Sequence, residues 1–148
     1  LRNKASESKE VFDLRDWQIP LGRRFRSLKL WFVLRVYGAA RLRDMLRKHM
    51  ALADKLEAFL KSQPSFEMPF PRVSSLVVFR LAEHPNDVNA ALLAALNERG
   101  VLLTHTVISG QYFLRVAIGA SEGQGEQHVD NLCSLIASCV DLVTKSAL

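Results

Sequence analysis

The stretch that decides the fold opens with Ser74-Ser75-Leu76-Val77-Val78-Phe79-Arg80-Leu81 and closes with Gln111-Tyr112-Phe113-Leu114-Arg115-Val116-Ala117-Ile118. The first run is short, β-branched and aromatic, which predicts a strand. Residues 66–70 are its candidate edge partner, held to the edge by Pro69 and Pro71, because proline cannot donate to a ladder. Pro85-Asn86-Asp87 then opens a helix with Val88, Ala91, Leu92, Ala95 and Leu96 on one face, and Gly100 ends it. Residues 101–108 and 111–118 read as a hairpin around the two-residue turn Ser109-Gly110.

Working outward, residues 40–62 predict a helix with Leu42, Met45, Leu46, His49, Leu52, Leu56, Phe59 and Leu60 along one stripe, stopped by Pro64. Residues 23–37 predict an earlier helix that is apolar on every side through 30–34 and interrupted by Gly38. Such a helix belongs inside a larger body or at an interface. Residues 17–22 should be extended, since Pro20 turns Ile19 away from helical angles. Residues 1–16 are polar and lack an apolar period, so they read as a loop. After the hairpin, a Gly/Ser-rich loop over 119–127 leads into a helix over 126–145 that buries Val129, Leu132, Cys133, Ile136, Val140 and Val143. The order α-α-β-β-α-β-β-α predicts an α+β fold, one small antiparallel sheet with helices on one face.

The chain has 148 residues, 49% of them hydrophobic, which suits one compact domain and excludes intrinsic disorder. No apolar run approaches the roughly 18 residues of a membrane span. Cys133 and Cys139 are six residues apart on one predicted helix, about 9 Å along its axis and beyond disulfide reach. A reducing, cytoplasmic setting follows as an expectation. The chain opens on Leu1-Arg2-Asn3-Lys4 rather than Met, and it reads as a piece of something longer.

Catalytic signals are sparse. His49, His84, His105 and His128 show no metal-ligand spacing with one another or with the cysteines. His49 lies on the apolar stripe and reads as a packed histidine. No phosphate loop or nucleophile elbow is present. Residues 1–50 hold 13 of the 20 basic residues, with Arg23, Arg24, Arg26 and Lys29 near a helix start that could meet a phosphate. These side chains scatter around the helix instead of forming a stripe, which argues against nucleic acid. Arg115 interrupts a strand expected to be well buried. Either it pairs with a carboxylate of its own domain or faces water, or it meets a substrate carboxylate or a neighbouring domain.

The run from Asp16 to Trp31, Asp-Trp-Gln-Ile-Pro-Leu-Gly-Arg-Arg-Phe-Arg-Ser-Leu-Lys-Leu-Trp, closely resembles the signature of aromatic-L-amino-acid decarboxylases, the group II pyridoxal-phosphate-dependent decarboxylases. Val36-Tyr37-Gly38, Leu46-Arg47-Lys48-His49 and Tyr112-Phe113-Leu114-Arg115-Val116-Ala117-Ile118-Gly119 resemble further family elements, and Leu1 to Glu7 is most similar to the plant tyrosine, DOPA and tryptophan enzymes. The resemblance implies the C-terminal part of a fold type I, aspartate-aminotransferase-type enzyme. Residues 1–38 would be the end of the large cofactor domain, with a mobile-loop remnant and connecting helix, and 39–148 the small C-terminal domain. It implies pyridoxal 5'-phosphate as cofactor, a homodimer, an aromatic amino acid as substrate, and neither nucleic acid nor membrane as partner.

The family's cofactor lysine follows a histidine. No His-Lys pair occurs here, and Lys48-His49 has the reverse order, so catalytic residues are expected outside this chain and the fragment alone should be inert. The loop tyrosine that separates amine-forming decarboxylases from aldehyde synthases would precede Leu1. Leu21 and Gly22 match the element that approaches the cofactor phosphate or the substrate. Arg115 matches an arginine that contacts the substrate carboxylate in related glutamate decarboxylases. A truncated chain acting only as a dimerisation partner is the rival expectation.

Overall fold

The computed structural model describes residues 24–119, 123 and 125–146. The chain divides at Gly38 into two compact units, Leu1–Gly38 and Ala39–Leu148. A helical run, α1 (Ser27–Ser62), crosses that division but is two helices in succession, because Gly38 sits at φ 71, ψ 160. A side chain at such angles is strained, and glycine is the residue that adopts them freely. In the first unit, the apolar side chains of the helix are exposed, Trp31 against Phe32 with ring centroids 5.1 Å apart and Val36 71% open to solvent. The helix begins at Ser27, later than the 23 expected from sequence. The extended 17–22 segment and the 1–16 loop lie outside the described residues.

The second unit carries β1 (Phe66–Glu67), β2 (Leu76–Leu81), α2 (Asn86–Glu98), β3 (Thr104–Ile108), β4 (Gln111–Ala117) and α3 (Glu126–Ser146). The four strands form one antiparallel sheet in the order β1-β2-β4-β3. Phe66 pairs with Leu81, Val78 with Arg115, and Thr104 with Arg115 from the other side. Ile108 opposite Gln111 leaves Ser109 and Gly110 as a two-residue turn, both at positive φ (51 and 77), the combination that matches strand twist.

Alternation sorts the sheet's side chains. Val77, Phe79 and Leu81 of β2 and Leu114 and Val116 of β4 enter one core with Leu52, Leu56 and Leu60 of α1, Leu92 and Leu96 of α2, and Val129 and Ile136 of α3. The helices therefore pack on one face. Two expectations shift in detail. Leu46 stays 56% exposed, since the buried stripe of α1 begins at His49, and Ala91 is exposed while Asn89 and Leu93 turn inward. Asn89 is tolerated at 0% exposure because its bonds are satisfied. Its Oδ1 accepts from the Leu81 N–H at 2.8 Å, and its Nδ2 donates to the Pro85 carbonyl at 3.1 Å. Cys139 joins the core as well, and among the described residues both cysteines are free thiols.

Ion pairs tie the periphery. Arg72 Nε donates to Glu57 Oε2 at 2.7 Å and its other nitrogens reach Asp54 and the Ser74 carbonyl, clamping the 72–74 loop to α1. Lys55 joins α1 to α3 through Asp130, Nζ to Oδ1 2.7 Å. Asn86 bridges α2 to the hairpin tip: Nδ2 donates to the Gly110 carbonyl at 2.8 Å, and the Tyr112 N–H donates to Oδ1 at 2.9 Å.

Candidate functional site

The side of the sheet away from the helices carries two arginines. Its positions are Leu76, Val78 and Arg80 on β2, Phe113, Arg115 and Ala117 on β4, and Thr104 and Thr106 on β3. Two guanidinium groups stand there in opposite circumstances. Arg80 is buried and fully engaged: Nε lies 3.1 Å from Glu67 Oε1 and 3.4 Å from the Leu81 carbonyl, Nη2 donates to the His84 carbonyl at 2.5 Å, and the group lies 5.8 Å from the centre of the Phe113 ring. Phe70 closes this end edge-on, 5.5 Å from Phe113.

Arg115, flanked by Val78 and Thr104, is half-buried, and its side chain has no hydrogen bond or ion pair among the described residues. One expectation is corrected here. The residue is not well buried, because the strand face it occupies has no helix over it; of the alternatives for its partner, no carboxylate among the described residues pairs with it. A guanidinium so placed is partly desolvated and keeps its fork of N–H donors, the geometry that takes a carboxylate in a bidentate grip.

The other sequence candidates are dispersed. Leu21, Gly22 and Arg23 lie outside the described residues. Arg24, Arg26 and Lys29 are exposed near the start of α1. His49 is a packed histidine, 3% exposed, whose Nε2 has no partner among the described residues. His105 is exposed on β3 and stacks on Tyr112 at 4.5 Å. Burial pushes the Cys133 thiol above its usual range, which makes it a poor nucleophile.

A pyridoxal cofactor needs a lysine whose amine can be freed of its proton, and among the described residues none of the lysines is buried. Lys55, half-buried, is pushed the wrong way: its hydrogen bond to Asp130 raises its pKa. Among the described residues, none of the lysines is placed for covalent attachment of such a cofactor. Among them, no group of His, Cys, Asp or Glu could hold a metal ion, and no helix is long and apolar enough to cross a membrane.

Sequence reasoning missed Arg80 and Glu67. The signal was of the same kind as for Arg115, a charge inside an apolar strand run, and the cross-strand register Glu67 to Arg80 makes the pair. Also missed was a cavity of about 380 Å³ lined by Leu52, Val101, Leu103, Ile118, His128 and Leu132.

Residues 1–82 match the family described as "Pyridoxal-dependent decarboxylase conserved domain". The chain is 48% identical over 143 residues to tryptophan decarboxylase 2 of Oryza sativa subsp. japonica, covering 92% of this chain and 29% of that protein. It is 46% identical to phenylacetaldehyde synthase of Arabidopsis thaliana, again covering 92% of this chain and 29% of that protein. The crystal structure of Oryza sativa TDC with PLP and tryptamine superimposes with a TM-score of 0.75 at 39% identity, over 95% of this chain and 31% of that one. The chain thus spans under a third of the length of these relatives.

Proposed function

Because the chain belongs to the pyridoxal-dependent decarboxylase family, we propose that it works as the C-terminal part of an enzyme that converts an aromatic L-amino acid, tryptophan, tyrosine or DOPA, to its amine and CO2. The observation that carries this reading is the 48% identity to tryptophan decarboxylase 2, which extends across 92% of the chain. Pyridoxal 5'-phosphate, when bound, supplies the electron sink that lets CO2 leave. Its attachment lysine falls to polypeptide outside the described residues. The Arg115 guanidinium holds the substrate carboxylate, and Leu21 and Gly22 approach the cofactor phosphate or the substrate. Residues 1–38 serve as the end of the cofactor domain. The enzyme is a cytoplasmic homodimer, a reading supported by two free thiols and by the exposed apolar helix ahead of Gly38.

The 46% identity to phenylacetaldehyde synthase favours a second reading, in which the product is the aldehyde. One assay separates the two. The whole polypeptide containing this chain is loaded with cofactor, given L-tryptophan, L-tyrosine or L-DOPA, and followed for CO2, amine and aldehyde. CO2 with amine is expected. CO2 with aldehyde selects the second reading, and no CO2 from any of the three overturns both and leaves a dimerisation partner. Arg115→Leu in the same polypeptide is expected to raise KM about tenfold or more while cofactor binding stays intact. An unchanged KM removes Arg115 from the site.

A further inference from the structure

Three consecutive apolar residues, Val101-Leu102-Leu103, connect α2 to β3, where a surface loop is ordinarily polar. Sheet pairing does not account for them, since β3 begins at Thr104. Leu103 packs against the core, but Leu102 is 86% exposed. The loop is nonetheless fixed. Gly100 follows α2 at φ 82, and its N–H donates to the Asn97 carbonyl at 3.0 Å. The Val101 N–H donates to the Leu96 carbonyl at 3.2 Å and the Leu103 N–H to Asn97 Oδ1 at 2.9 Å.

This loop forms one wall of the cavity of about 380 Å³, which reaches the core at Leu52, Val116, Ile118 and Val129, all buried. Among the described residues no Asp, Glu, Lys or Arg lines it, and its polar side chains are His128 and Asn131. Water needs two to four polar partners, so an aliphatic cavity stays dry and takes an apolar guest; about 150 Å³ holds a benzene ring. The present volume therefore has room for a ring and a substituent. An ionised guest would lose its hydration here without a counter-charge. His128 sets the polar end. The Gly125 N–H donates to its Nδ1 at 3.1 Å, so the neutral imidazole carries its proton on Nε2 and is a donor there.

We infer that this cavity is a binding site for a small neutral ring compound, an aromatic alcohol, phenol or ketone, whose oxygen accepts from His128 and whose ring lies among Leu52, Leu103, Ile118 and Leu132, with Leu102 at the mouth. A preformed, mostly apolar pocket with one or two polar groups is the usual construction of a small-molecule site.

The test is amide hydrogen exchange, read peptide by peptide, in the whole cofactor-loaded polypeptide that contains this chain. Benzyl alcohol is the probe, and benzylamine is its cation of the same size. Benzyl alcohol at roughly 20 mM, well above the dissociation constant of about 1 mM that a molecule of this size can reach, should slow exchange about threefold or more in peptides over 99–104 and 126–135. Benzylamine should leave both peptides unchanged. Leu132→Trp, which fills the cavity, should abolish the protection. His128→Leu keeps the apolar lining and removes the donor, so the apparent affinity should fall about threefold or more; it carries the test if Leu132→Trp does not fold. Absence of protection by benzyl alcohol overturns the site, whether the cavity is closed or filled by other parts of the polypeptide. Equal protection by both probes overturns the neutral class of ligand. Protection that persists undiminished in the folded variants places the probe elsewhere and overturns the site as well.

Discussion

The two faces of the sheet use the same strands for different ends. On the inner face Val77, Phe79, Leu81 and Leu114 are fully enclosed by three helices, with no polar side chain of β2 or β4 among them. On the outer face two arginines sit two residues or less from the same apolar neighbours, Arg80 locked by Glu67 and backbone carbonyls and Arg115 without a side-chain partner among the described residues. Burial of a polar group costs heavily only when its bonds go unmade. The inner face meets that condition by exclusion. The outer face meets it by pairing at Arg80, and Arg115, half-buried and without a side-chain partner among the described residues, is the exception.

Substitutions can break this contrast or sharpen it. The largest effect belongs inside: Phe79→Ala removes a fully buried ring and should cost about 3–5 kcal/mol of stability. A denaturant midpoint measures this, and a loss below about 1 kcal/mol would mean the inner face is not the core. Arg80→Met keeps the stem but removes a donor from the His84 and Leu81 carbonyls and the cation from Glu67, an expected loss of about 1–3 kcal/mol. If its midpoint equals that of the parent, Arg80 is not the structural half of the arginine pair.

A third, smaller effect is a pH dependence at the edge of the fold. Hydrogen bonds from Lys61, first, and Arg72 hold Glu57 below its ordinary 4.5. Its contribution is therefore complete above that value and lost as pH falls through the lowered folded value. Midpoints measured from pH 6 down to 3 should fall less steeply in Glu57→Gln than in the parent, and identical slopes would remove the clamp. Last, Arg115→Leu should leave the midpoint within about 0.5 kcal/mol, since no bond is broken, even as KM rises. A large loss of stability there would make both arginines structural and erase the distinction between them.

Much of this was legible in advance because local patterns carried it. The Ser109-Gly110 turn, the Gly38 break, the apolar periods of α2 and α3 and the packed state of His49 each follow from a few adjacent residues. What failed was relational. Nothing near Arg80 in the chain announces Glu67, 13 positions earlier, and nothing near Ala91 says that α2 rotates to bury Asn89 instead. The candidate site was half readable. Arg115 stands out as a charge in an apolar run, but whether it is paired depends on strands brought alongside from residues 78 and 104.

By itself, then, the sequence determined the element types, the turn, the α+β class and, through the Asp16 to Trp31 block, the family, since these rest on side-chain period, backbone strain and an unbroken run of residue identities. The tertiary structure alone decided which face of the sheet the helices cover, that Arg80 is neutralised and that no described residue neutralises Arg115. Those depend on register and on the distance between groups far apart in the chain, and a one-residue change of register would have exchanged the two faces.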